Sequence, residues 1–372
     1  MSEEPVTTSI ADASGNDDLP PEASKRPSRK RLFISLGLGI VVLVGLGFLL
    51  LPKIDSYEQA IYSFQHMSLW WIVALVVACL LNIMLYPFTV LVSVPGLKYW
   101  HGFIERQVGF LISCAIPGGG VFAVGAQYRI LNFYKVSPAR SVAAVSADAV
   151  WVYLLTLAMP SIALTAVVLE GRNTVGYESL ALLGLLVVII SIVVIIVVLR
   201  SDSGAARVGR LAQKLMGPIF RKFHKPVPQM EKSLIAFRNQ AYDLVKERWK
   251  AITVANAVAQ LTPLLVLLCA LGGLGMWPGG DLSFFEIFAA FSIALLLVSI
   301  PISPGGLGTV DAALVALLTA FGANAGEAVA ADLLWRVVWF LPQILVGAGS
   351  MFAFFIAQKR ALSRQRLAAG AG

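Results

Sequence analysis

Charged side chains are scarce in this chain. Asp, Glu, Lys and Arg make up 13% of its 372 residues, while hydrophobic residues make up 58%. Soluble domains carry roughly twice that charge, so a water-facing globular protein is excluded. Cysteine and histidine are scarcer still, with three of each. Cys79, Cys114 and Cys269 stand singly in apolar segments, with no Cys-x-x-Cys pair and no histidine close by. They read as small core or lipid-facing residues, which removes disulfide, redox and zinc chemistry. His66, His101 and His224 are equally scattered, so no metal site and no other cofactor is expected. No Gly-Lys-Ser/Thr follows a glycine-rich segment, which removes nucleotide-binding loops. An integral-membrane transferase would need acids, histidines or a nucleophile gathered at one interface. No such cluster is legible, and the chain is not expected to be an enzyme.

What is present is a series of apolar runs near 20 residues, the mark of a polytopic membrane protein. The formal charge of +8 comes from cations that flank these runs, so it does not point to nucleic acid. Residues 1–30 are polar and poor in aromatics, and read as a disordered cytoplasmic tail. The cations Lys25, Arg26, Arg29, Lys30 and Arg31 then abut Leu32–Leu51, a first span. The long polar lead and the lack of a small-residue cleavage site argue against a removable signal. Further spans are predicted at Leu69–Val92, Ser141–Thr165, Leu180–Leu199, Ile252–Leu271 and Ala328–Ile356. Residues 31–199 thus hold a first membrane repeat and a fourth span. Residues 200–250 form a basic segment, and 251–357 a second repeat. The 200–250 segment carries twelve cations against Asp202, Glu231, Asp243 and Glu247, the strongest cytoplasmic marker in the chain. Val208, Leu211, Leu215, Ile219 and Phe223 recur there at helical spacing. The segment is therefore expected to lie on the membrane surface, kinked at Gly217-Pro218. Residues 358–372, with Lys359, Arg360, Arg364 and Arg366, form a second cytoplasmic tail. The expected location is the cytoplasmic (inner) membrane of a bacterium.

Two segments break this pattern: Ile116-Pro117-Gly118-Gly119-Gly120 and Ile302-Ser303-Pro304-Gly305-Gly306-Leu307-Gly308. Each lies between apolar runs too short to span. In lipid, non-helical backbone survives only where protein buries it or where it lines a polar cavity. Both breaks therefore predict re-entrant hairpins, the first opening inward and the second outward. Each hairpin follows a span and precedes a charged span. The resulting fold class is an all-α polytopic membrane protein built from inverted repeats, with about six full spans and two re-entrant hairpins. Arg140–Val145 echoes Glu327–Asp332 at the offset that relates the two breaks, in support of the repeat.

Chemistry is confined to the polar groups inside the apolar segments. Asp148 and Arg336 lie at nearly corresponding depths in their spans. At such depth a lone charge costs roughly 2.5–3.5 kcal/mol on insertion scales. One reading has both charges lining a central cavity, with Arg336 holding a lipid phosphate. The other is a structural ion pair, for which Asp332, four residues before Arg336, is the simplest partner. Gly118, Gly119, Gly305 and Gly306 leave backbone amides uncovered at the hairpin turns, where a helix N-terminus suits a phosphate oxygen. Alternatively the second break is a packing turn, capped by Thr309, with Asp311 complementing the dipole. Asp311 can also bind a cationic group such as a lysyl amine or a coupling proton. Arg129, near the mouth of the first hairpin, is a candidate headgroup contact. Interfacial anchoring is expected for Lys98, Trp100 and Arg106.

Ser303 to Gly308, the acid at Asp311, and then Gly322, Ala328 and Leu334-Trp335-Arg336 resemble the membrane domain of lysylphosphatidylglycerol synthases and their flippase-like relatives. The resemblance runs more faintly from about Leu32 to Phe355, through the Gly118–Gly120 break and Arg129. Asp311 stands where the family usually has Glu. The family's Glu-Arg…Asp pattern in the third span is represented only by Asp148. The resemblance implies lipid translocation, with an anionic or aminoacylated phospholipid as substrate and a lipid-modifying enzyme as a possible partner. The soluble aminoacyl-tRNA-using half of the synthase is not expected in this sequence, nor is lysyl transfer. Two alternatives stay open: a membrane scaffold or accessory subunit of a lipid-modifying enzyme, and an ion-coupled small-solute transporter.

Overall fold

The computed structural model describes residues 65, 67–115, 119–171, 177–222, 229–299 and 304–369. The expected tail 1–30, the first span Leu32–Leu51 and Gly118 lie outside these residues. Among the described residues, all regular structure is helical: α1 (Leu69–Leu85), α2 (Phe88–Leu91), α3 (Tyr99–Ala115), α4 (Gly119–Phe133), α5 (Pro138–Leu169), α6 (Tyr177–Arg200), α7 (Asp202–Lys222), α8 (Met230–Gly273), α9 (Phe284–Leu296), α10 (Thr309–Ala320) and α11 (Ala325–Ala369). An apolar chain in lipid must satisfy every backbone N–H and C=O within its own segment, and a helix does so. Among the described residues, four helical segments are long and apolar enough to cross a bilayer: Leu69–Leu91 (α1 with α2), Pro138–Leu169, Ala241–Gly273 and Ala325–Arg364. Exposed leucines, valines and isoleucines along α1 and α6, among them Val76, Leu80, Leu186 and Ile190, mark lipid-facing sides.

The two breaks divide pairs of short helices. With 17 and 15 residues, α3 and α4 reach about 26 and 23 Å; α9 and α10, with 13 and 12, reach about 20 and 18 Å. Each falls short of a hydrocarbon core of about 30 Å. Within each pair the helices pack on one another, so each break is the turn of a hairpin. A capping box starts α9: the Ser283 hydroxyl accepts from the Glu286 N–H (3.2 Å), and Glu286 Oε2 accepts from the Ser283 N–H (2.8 Å).

Helix neighbours recur in pairs, as expected of two related units. Helix α4 packs on α5 as α10 packs on α11, and α8 packs on α5 as α1 packs on α11. Most tellingly, α3 lies against α11 and α9 against α5. The first arm of each hairpin thus packs on the long helix that follows the other hairpin. Two copies of one unit interlocked about a pseudo-twofold axis produce this exchange.

The main core lies between α1, α5, α8, α9, α10 and α11, where Leu267, Leu271, Ile287, Phe291, Leu314 and Trp335 are fully buried. Of the four long candidate spans, the one in α8 is the most enclosed. Pro263 within it cannot donate to the carbonyl of Ala259. The Thr262 hydroxyl donates to that carbonyl instead (3.0 Å). Helix α8 also runs unbroken through residue 250, joining the second part of the basic segment to the span as one helix. Helix α7 continues through Pro218 and is held to α8 by Arg210–Glu231 (2.5 Å) and by Arg238 of α8 to Asp202 (2.8 Å). Helix α11 likewise carries Lys359, Arg360 and Arg364 on the same helix as the last span.

Candidate functional site: two buried ion pairs

At the second break the backbone turns on glycine. Gly305, Gly306 and Gly308 have φ of +59°, +71° and +81°, the left-handed region that side chains disfavour. A Cβ on Gly305 would also sit 2.6 Å from the ring of Phe340. This turn aims the carbonyls of Gly305 and Gly306 at Arg336, each 3.5 Å from a guanidinium nitrogen. Helix α10 then begins with Gly308 as its cap. The Gly308 N–H donates to Asp311 Oδ2 (2.6 Å), and the Thr309 hydroxyl turns back to donate to Gly306 O (3.1 Å). Capping by Thr309 is therefore corrected: Thr309 is already the first helical residue, and the carboxylate two positions on reaches the free amide.

The other oxygen of Asp311, Oδ1, accepts from Arg336 Nε, so one carboxylate closes both the turn and an ion pair. The rings of Trp335, Trp339 and Phe340 surround the guanidinium, with centroids 5.1, 5.9 and 5.5 Å away. Asp332 is buried one turn before Arg336 on α11. The acid shown in the ion pair with Arg336 is nevertheless Asp311, which α10 brings across as it packs on α11. This pair is tertiary, joining α10 to α11.

A second pair lies in the first hairpin. Arg106 of α3 places Nη1 2.7 Å from Asp148 Oδ2 on α5 and Nε 3.4 Å from Oε2 of its neighbour Glu105. The guanidinium also faces the ring of Tyr86 at 5.6 Å. Arg106 is 3% exposed, which overturns its expected role as an interfacial anchor. The re-entrant arm carries it inward, and Asp148 supplies the counter-charge that lets it stay there. Asp148 and Arg336 therefore do not share one pair; each has its own partner. The two pairs communicate through α3. Its far end packs against the second break, with Cys114 beside Gly305, two turns or about 12 Å along the helix from Arg106.

Gly119 opens α4, and a Cβ there would come within 2.7 Å of the Ser113 carbonyl oxygen, so the reversal needs glycine. Arg129 is exposed near the end of α4 and joins neither pair. Sequence reasoning missed a polar tie among three spans. Asn82 of α1 donates to the Thr262 hydroxyl of α8 (2.6 Å) and accepts from Gln343 of α11. Gln107, beside Arg106, donates to the Ile83 carbonyl (3.2 Å). The signal was legible as amides stranded mid-span, where a polar group seeks a partner. Among the described residues, no group of three His, Cys, Asp or Glu side chains is placed to hold a metal.

The sequence that builds the two short-armed hairpins and the buried pairs also matches a known family. The family model described as the lysylphosphatidylglycerol synthase TM region matches residues 34–347. The chain belongs to this family. The matched region of the lysylphosphatidylglycerol synthase TM family takes in both hairpins and all four members of the two pairs, Arg106, Asp148, Asp311 and Arg336. No curated protein matches the chain. Membership makes this a membrane protein of a family tied to lipid modification and translocation, with membrane lipids as its associates.

Proposed function

We propose that the protein is a lipid translocase of the bacterial cytoplasmic membrane. A phospholipid or aminoacyl-phospholipid headgroup passes between the hairpins while the acyl chains stay in lipid. The protein itself performs no group transfer. Both ends of the chain are read as cytoplasmic, a reading supported by the cations of residues 25–31, of α7 and of the end of α11.

The observation that carries this reading is Arg336, a guanidinium 3% exposed whose acid partner, Asp311, is the more open member of the pair at 15%. A lipid phosphate offers the same pair of oxygens as that carboxylate. As the hairpin opens, phosphate replaces Asp311 on Arg336, and the cation is never left bare in a low-dielectric core. Release of Asp311 also frees the Gly308 N–H at the positive end of α10, a further donor for a phosphate oxygen. When the headgroup leaves, Asp311 returns to both contacts and closes the route. In this scheme Asp311 is a gate that mimics the substrate.

The test is headgroup translocation in proteoliposomes with fluorescent and aminoacylated phospholipids, comparing wild type with Arg336→Ala. The expected result is fast translocation by wild type and a loss of about 100-fold or more in the variant, with helical content retained. Wild-type rates equal to those of empty liposomes across the lipid panel would remove the translocase reading and leave a scaffold. Equal rates in wild type and variant would take Arg336 off the route.

A further inference from the structure

We propose that the Glu105–Arg106–Asp148 cluster is a proton-binding site, with Glu105 the residue that takes up and releases the proton. Its use in transport rests on the translocase reading; its existence does not. The argument begins with a count of charges. Two carboxylates share one guanidinium, and Glu105, Arg106 and Asp148 are only 0, 3 and 5% exposed. With both acids ionised the cluster holds one uncompensated negative charge at membrane depth, where burial strongly favours the neutral form.

Hydrogen bonding then decides which acid holds the proton. Asp148 Oδ2 has the close charge-assisted contact with Arg106 Nη1, at 2.7 Å. Glu105 Oε2 lies 3.4 Å from Nε, and both of its carboxylate oxygens are buried without a hydrogen-bond partner among the described residues. Asp148 Oδ1 is equally bare, an acceptor within the same cluster. A proton on Glu105 makes the cluster neutral and gives this side chain the donor it lacks.

Among the described residues, the surrounding elements offer no other compensation. The turn after α1 presents Tyr86, and α5 presents Asp148 itself. On α4, Arg129 is exposed, and on α11, Arg336 is engaged with Asp311. A metal ion fits poorly, since one of the only two carboxylates is already bound to a guanidinium.

In the step itself, an O–H bond of a hydronium ion breaks as one forms on Glu105, leaving water, and the reverse transfer returns the proton to water. The protonated cluster is a neutral Arg106–Asp148 pair beside a neutral acid. After release, Glu105 competes with Asp148 for Arg106, which loosens α3 from α5. Because α3 also packs on α11 and on the second break, this change reaches the Arg336–Asp311 gate.

Infrared difference spectra of the reconstituted full chain, recorded as pH is stepped through neutrality, test the site directly. Wild type is expected to show the carbonyl band of a protonated carboxylic acid. That band should be absent in Glu105→Gln. It should also be weakened at the same pH in Asp148→Asn, because the one remaining acid then stays ionised against Arg106. A wild type without the band, or variants that both keep it at full strength, would overturn the proposal. Transport under an imposed pH difference tests the coupling. With one proton per headgroup, one pH unit supports at most about a tenfold asymmetry of lipid between leaflets, and Glu105→Gln should ignore the gradient. Gradient-independent transport by wild type would overturn the coupling alone. No transport at all would instead sink the translocase reading and leave the infrared result standing.

Discussion

The two hairpins solve the same problem with opposite charges. In the first, the hairpin arm carries the cation, Arg106, and the following long helix carries the acid, Asp148. In the second, the hairpin arm carries the acid, Asp311, and the following long helix carries the cation, Arg336. The pairs also differ in place and stoichiometry. Arg106 lies mid-arm, fully enclosed and flanked by two acids, whereas Arg336 meets the glycine turn itself, and its partner Asp311 is partly open. A pair at the turn can be exchanged when the hairpin moves. A pair buried mid-arm with an extra acid is better suited to hold a proton. On the proposed translocase reading, substrate contact falls to the second hairpin and charge compensation to the first.

The sharpest way to break this comparison is Arg106→Ala, which leaves Glu105 and Asp148 buried with no shared cation. Loss of about 3–5 kcal/mol is expected from reversible unfolding in detergent. An Arg106→Ala protein as stable as wild type at neutral pH would mean the first pair is not structural. Asp311→Asn is next, at about 2–3 kcal/mol. It keeps an oxygen for the Gly308 amide but loses the charge on Arg336, so transport should change more than helicity does. Unchanged transport would deny Asp311 its gating role. Gly305→Ala forces a Cβ into the left-handed region and onto Phe340, and thermal unfolding should report about 1–2 kcal/mol. The smallest effect belongs to Asn82→Leu, which cuts the tie to Thr262 and Gln343 for about 1 kcal/mol. Because that tie lies outside both pairs, transport per folded molecule should stay near wild type. A large transport defect there would show that the spans, and not the hairpins alone, set the route.

Much of the architecture was legible before any contact was known. Helical spans follow from apolar runs because lipid offers the backbone no other partners, and the breaks follow from Pro-Gly clusters that a helix cannot absorb. Asp148, Arg336 and Asp311 could be singled out because a charge inside an apolar run is too costly to be idle. Arg106 escaped, since its arm reads as a short segment close to cations that belong at an interface. Asp311 could not be matched to Arg336, because sequence spacing registers only neighbours on one helix.

The sequence by itself determined which apolar segments are helical, where they fail, and which side chains need a partner, because these depend on local hydropathy and backbone freedom. Which charge meets which was decided only in the tertiary structure. Arg106 finds Asp148 across 42 residues and Arg336 finds Asp311 across 25 because α3 packs near α5, and α10 on α11, at fixed depths. A charge in a low-dielectric core is satisfied by whatever lies within a few ångströms, and that distance is set by packing.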